Sequence, residues 1–176
     1  FAGKTVGPAI DLAEHLIRIA PPAANGSSFG KAFFCSSGSE ANDTAIKMVW
    51  YYQAARGKPE KRKIISRRRG YHGVTMAAAS MTALAYAQNG FGLPLDFVKH
   101  TTTPDYYNEG RDGESEAEFT ARCAAELEAL IIEEGPETVG ALFAEPVMGA
   151  GGVIVPPAGY FATIREVPVS YTHLTL

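Results

Sequence analysis

Two short apolar runs, Lys63-Ile-Ile-Ser66 and Val139-Gly-Ala-Leu-Phe-Ala144, each follow a long helical pattern, and this alternation constrains the fold most. A strand apolar on both faces must be covered on both faces, and parallel strands need a crossover, usually a helix, between them. The helical patterns are legible. Residues 6–20 carry Ile10, Ala13, Leu16, Ile17 and Ala20 on one face and stop at Pro21-Pro22. A second helix runs from about residue 39 to 56 and closes at Gly57-Lys-Pro59. Residues 114–134 are the clearest, with Phe119, Cys123, Leu127, Leu130 and Ile131 at helical spacing. Lys31-Ala-Phe-Phe-Cys35 reads as another short strand, and Gly70-Tyr-His-Gly73 as a turn into a small-residue helix over 74–85. Residues 90–113 read as mostly irregular. The sum is an α/β chain: three layers, helix–sheet–helix, around a mostly parallel sheet.

Composition removes several classes of function. The 176 residues are 46% hydrophobic and 20% charged, the balance of a folded globular chain. A net charge of −3 gives no electrostatic case for nucleic acid or an anionic membrane as partner. No apolar stretch approaches the roughly 20 residues of a membrane-spanning helix. Cys35 and Cys123 lie far apart, and His15, His72, His100 and His173 are scattered, so neither a disulfide framework nor a metal site is expected. Lone thiols fit a reducing, cytoplasmic setting. The run Arg67-Arg68-Arg69 reads as a solvated edge or a subunit contact. Lys47, four residues after Asp43, reads as a surface ion pair with it. Met148-Gly-Ala-Gly-Gly152 has Ile154 where a dinucleotide fingerprint needs its last glycine, and it leads into no helix, which rejects a Rossmann site.

The most informative segment is Cys35-Ser-Ser-Gly-Ser-Glu-Ala-Asn42, a strand, a tight polar turn and a helix start. Ser37 can cap the helix, with Glu40 completing a capping box. Such a helix start also presents unpaired N–H groups and the positive end of the helix dipole to an anion. Gly38 lets a phosphate approach the backbone, and Ser39 adds a hydroxyl. A capping box alone accounts for the same residues, and a cap can also be a phosphate cup.

Ser-Gly-Ser-Glu-Ala-Asn before a long helix resembles the phosphate cup of class III aminotransferases, the ω-amino acid:pyruvate group of fold-type I pyridoxal phosphate enzymes. Two further segments resemble the same family in order. Gly70-Tyr-His-Gly73 looks like the turn whose aromatic stacks on the pyridoxal ring, and Phe143-Ala-Glu-Pro-Val-Met-Gly-Ala-Gly-Gly-Val-Ile-Val-Pro-Pro157 like the strand end and loop beneath the cofactor. The resemblance implies roles. Gly38 and Ser39 would hold the phosphate of pyridoxal 5'-phosphate, with Ser37 as cap. Tyr71 would lie over the pyridine ring, its alternative being a core tyrosine. His72 would sit near ring or substrate, or be structural. Glu145 would join the hydrogen-bond network beneath the cofactor, rather than face solvent as an edge carboxylate.

The family also needs a Schiff-base lysine and an aspartate that keeps the pyridine nitrogen protonated, both C-terminal to the segment matching Gly159-Tyr160-Phe161. No lysine of this chain lies in that context, so no catalytic residue is assigned, and the chain by itself is expected to be inactive. Residues 1–167 are expected to be part of a cofactor-binding large domain cut from a longer chain that began before Phe1. Pro168 is expected to break the last helix, and residues 168–176 to be an artefactual, non-family tail. The resemblance implies, for the parent, amino transfer from an amine or ω-amino acid to a 2-oxo acid such as pyruvate, in a homodimer. An aminomutase or decarboxylase, a lysine-free cofactor-binding module, and an unstable fragment are the alternatives.

Overall fold

In the computed structural model, residues 5–22 and 26–171 are described. The chain forms two compact units, residues 1–36 and 37–176. In the first, helix α1 (Gly7–Ile19) opens with proline in its first turn, where a missing N–H costs nothing, and ends before Pro21. The amphipathic pattern is real, but α1 buries no residue, and Ile19 is 60% exposed. The strand expected over 31–35 does not form, and Phe33 is 68% exposed. An apolar run becomes a strand only by pairing, and the sheet of the described residues is built from three other strands.

Those strands lie in the second unit: β1 (Lys63–Arg67), β2 (Val98–Thr101) and β3 (Val139–Leu142), in the order β2-β1-β3 and all parallel. Between β1 and β2 run the short helices α3 (Met76–Met81) and α4 (Ala85–Gln88). The one-turn helix α5 (Tyr106–Glu109) and the long α6 (Glu116–Glu134) connect β2 to β3. Ahead of β1 is α2 (Gly38–Ala55), and behind β3 is α7 (Tyr160–Tyr171). Alternation along the strands divides the core in two. Ile65 and Leu142 pack with Phe119, Leu127 and Ile131 of α6 and Ile164 of α7. Ile64 and Ala141 pack with Ile46 and Val49 of α2 and Met81 of α3. The expected three layers are therefore present in this unit. Register along β1–β3 shifts after Lys63, leaving Gly140 as the extra residue. A Cβ at Gly140 would stand 2.7 Å from the Lys61 carbonyl oxygen.

Four further expectations change. β2 falls in a stretch read as irregular, because only Val98 and Thr101 of this edge strand are buried. The helix expected over 74–85 is cut to Met76–Met81, since Thr75 and Thr82 are extended. Asp43 does not serve Lys47: its Oδ1 accepts from Thr75 Oγ1 at 2.8 Å and the Ala78 N–H at 3.2 Å, capping α3 from outside. Finally, α7 runs through Pro168 to Tyr171. Proline removes one helical donor, but Tyr171 packs on the core, donates to Glu128 Oε1 at 2.8 Å, and gives its carbonyl to Lys61 Nζ at 3.0 Å. Tertiary contacts outweigh the local cost. Residues 172–176 lie outside the described residues.

Candidate functional site

Three segments at the C-terminal ends of β1 and β3 and the N-terminus of α2 meet through hydrogen bonds. At α2, Ser37 is extended and its hydroxyl accepts the Glu40 N–H at 3.2 Å, so the expected cap is formed. The Ala41 N–H goes to the Ser37 carbonyl. That leaves the Gly38 and Ser39 N–H groups, for which no described residue supplies an acceptor. Gly38 is exposed, and a Cβ there would meet nothing within 4 Å.

The 70–74 turn is locked to this helix start. Ser39 Oγ accepts the Val74 N–H at 3.0 Å, and Asn42 Nδ2 donates to the His72 carbonyl at 2.6 Å. From below, the buried Thr82 hydroxyl accepts the His72 N–H at 2.8 Å and the Gly73 N–H at 3.2 Å, and donates to the Gly73 carbonyl. A Cβ at Gly73 would lie 2.5 Å from Ser39 Oγ, and its φ of +129° excludes most side chains in any case. Glycine is what lets the turn close on the helix.

Glu145 follows β3 and is not the solvent-facing edge carboxylate. Its Oε1 accepts the Tyr71 N–H at 2.9 Å and its Oε2 the Gly149 N–H at 3.3 Å. Tyr71 itself is 39% exposed, so its ring is no core aromatic. His72 is buried, edge-on to Phe143 at 6.5 Å. Burial holds its imidazole below the ordinary value, with Glu145 opposing. The structure thus brings together Ser37, Gly38, Ser39, Tyr71, His72 and Glu145.

Sequence reading missed the residues that hold them. Asn42 lies inside the quoted motif, yet nothing in its spacing reveals a partner at His72, and Thr82 sits in no motif. The arginine run is not a solvated edge: only Arg68 is exposed. Arg67 is 1% exposed, and Arg69 pairs with Asp105 at 2.7 Å. Burial opposes the Asp105 charge, but hydrogen bonds from Asn108 and Arg69 outweigh it and keep the carboxyl below its ordinary range. A cleft of about 800 Å³ lined by Arg69, Asp105, Tyr107 and Val153 includes none of the predicted site residues.

The family described as aminotransferase class-III matches residues 1–174. The chain belongs to the class-III aminotransferases. Similar curated proteins include a gamma aminobutyrate transaminase 1, mitochondrial, from Solanum lycopersicum, 49% identical over 171 residues, 97% of this chain and 32% of that protein. A vanillin aminotransferase from Capsicum chinense is 46% identical, with 97% and 36% covered. Among solved structures, the omega transaminase from Pseudomonas jessenii in complex with PMP superposes with a TM-score of 0.92 at 51% identity, over 97% of this chain and 37% of that one. This class-III aminotransferase chain therefore spans about a third of the length of its relatives. The match supports fold type I, and family membership implies pyridoxal phosphate. The residues present fit that group: two unaccepted N–H groups stand at the start of an 18-residue helix, beside a glycine with open space over it. No helix among the described residues is long and apolar enough to cross a membrane.

Proposed function

We propose that this chain is the cofactor-holding part of a transaminase that moves an amino group from an amine or ω-amino acid to a 2-oxo acid such as pyruvate. The observation that carries this reading is the pair of unaccepted N–H groups of Gly38 and Ser39, held beside the Tyr71 turn by Ser39 and Asn42. The Gly38 and Ser39 N–H groups hold the phosphate, and Ser37 keeps the helix end in shape. The Ser39 hydroxyl accepts from Val74 and keeps its own proton for the phosphate. Tyr71 covers the pyridine ring with its aromatic face, while Glu145 fixes the Tyr71 main chain from beneath. His72 acts as a packed, neutral ring that sets the turn. Bound, pyridoxal phosphate supplies the carbonyl that takes up the amino group and the electron sink that lets it pass to the acceptor.

The lysine that anchors the cofactor is proposed to come from the protein outside these residues. Lys61 Nζ is spent on the carbonyls of Pro136, Val139 and Tyr171, and Lys63 and Lys99 both pair with Glu134. The relatives' names support the substrate class, since they join gamma aminobutyrate, vanillin and omega transaminases. A homodimer in a reducing compartment such as the cytoplasm completes the proposal.

The test uses the full-length protein carrying this chain: alanine formation from pyruvate with a panel of primary amines and ω-amino acids. Amine-dependent alanine is the expected result, and cofactor binding without transfer to any 2-oxo acid would overturn it. The Gly38→Asp variant tests the cup separately. Open space at Gly38 and a favourable helix start should leave the melting temperature unchanged, while the carboxylate weakens cofactor binding by tenfold or more, about 1.4 kcal/mol.

A further inference from the structure

Arg67 is fully buried, yet no carboxylate among the described residues pairs with it, and its Nη1 has no partner there. Its guanidinium lies over the rings of Tyr160 and Phe161, 5.9 and 5.7 Å from their centres, and its Nη2 donates to the Glu145 carbonyl. Two residues on, Arg69 takes up a left-handed backbone (φ 62°), and its Nη2 donates to the Gly151 carbonyl at 2.6 Å. A Cβ at Gly151 would stand 2.3 Å from the Arg69 carbonyl oxygen, so the loop backbone lies directly on the end of β1. Between these two anchors, Glu145 spans from Gly149 to Tyr71.

We propose that Arg67 and Arg69 form a clamp that pins the 145–151 loop at both ends and so presets the Glu145 carboxylate under the Tyr71 turn. Both are positioning residues. A planar guanidinium suits this task because it aims a donor at a carbonyl while its face packs on aromatic rings. Keeping such a cation buried is costly, and here it fixes the one carboxylate that ties the two loops together. The clamp's role toward the cofactor rests on the pyridoxal phosphate reading given above.

The experiment compares the full-length protein with Arg67→Met, Arg67→Lys and Arg69→Lys. One readout needs no cofactor: amide hydrogen exchange in peptides covering residues 70–74 and 145–152. The other is affinity for pyridoxamine phosphate, with the circular dichroism induced in the bound ring, well below each variant's melting temperature. The clamp predicts exchange faster by about tenfold in both peptides, as for one lost charge-assisted hydrogen bond, and weaker pyridoxamine phosphate binding with altered dichroism. Arg67→Lys should restore part of both. Should Arg67→Met fail to fold, Arg69→Lys carries the same test at the exposed end. Exchange unchanged in either peptide would overturn the clamp, and faster exchange with unaltered affinity and dichroism would overturn its positioning role. If the unmutated protein bound no pyridoxamine phosphate, the cofactor reading would fall, and exchange alone would still decide whether the clamp exists.

Discussion

Helices α1 and α6 carry the same kind of signal and end in opposite states. Each places apolar residues at helical spacing and polar ones elsewhere. In α6, Phe119, Cys123, Leu127 and Ile131 vanish into the core against Ile65 and Leu142. In α1, Ile10, Leu12, Leu16 and Ile19 stay exposed. The two apolar runs repeat the contrast: Val139–Leu142 is buried along its length, whereas Phe33 and Phe34 remain at the surface. A pattern says which face is to be covered. What covers it is a separate property, supplied by the chain's long-range pairing.

The sharpest way to break this comparison is a matched pair of truncations. Leu127→Ala should cost about 2–5 kcal/mol of unfolding free energy, because a fully buried leucine leaves a cavity in a packed layer. Leu16→Ala should cost under about 0.5 kcal/mol in this chain. Denaturant titration of the 176-residue chain measures both. Repeating the pair in the full-length protein sharpens the result, since a large Leu16 effect there would mean that the rest of the protein covers α1.

A smaller contrast sets two glycines of the site against each other. Gly73→Ala forces a side chain into Ser39 and into a left-handed backbone, and should lower stability by about 1–3 kcal/mol. Gly38→Ala meets open space and should change stability by less than about 1 kcal/mol. Thermal unfolding distinguishes them, and equal losses would mean that the turn is not docked on α2 as described.

The smallest effect is one of pH. Burial lowers the imidazole pKa of both His72 and His100 below 6.5 in the folded state. The unfolded chain therefore binds more protons at mildly acidic pH. Stability is complete above pH 6.5 and falls as pH drops from there toward the folded values, by an amount set by the two shifts. His72→Gln with His100→Gln should flatten that slope in urea titrations at pH 7.5 to 5. A slope unchanged in the double variant would assign the acid sensitivity to other groups.

Much of the site was readable because its chemistry is local. Ser37 caps the helix that begins at Gly38, Tyr71 follows the end of β1, and Glu145 follows β3, each a short-range consequence of residue type and order. Asn42, Thr82 and the two clamp arginines were not readable, because their partners lie 9 to 82 residues away. Arg67 shows the limit well. Three consecutive arginines suggest a wet surface, yet β1 buries the first, and the third, half-exposed, is held by Asp105 and the returning 145–151 loop.

By itself the sequence determined the α/β alternation, the second helix (read over about 39 to 56) with its serine cap, the clearest amphipathic helix, and the polar turns around Ser37 and Tyr71. Tertiary structure alone decided that β2 pairs with β1, that α7 passes through Pro168, that residues 31–35 form no strand, and that Glu145 accepts from the backbone N–H groups of Tyr71 and Gly149. The physical reason is range. Capping, periodicity and turn chemistry act over a few residues and are written in order along the chain. Pairing, burial and charge compensation depend on groups brought together from far apart, and their energies exceed the local preferences they override.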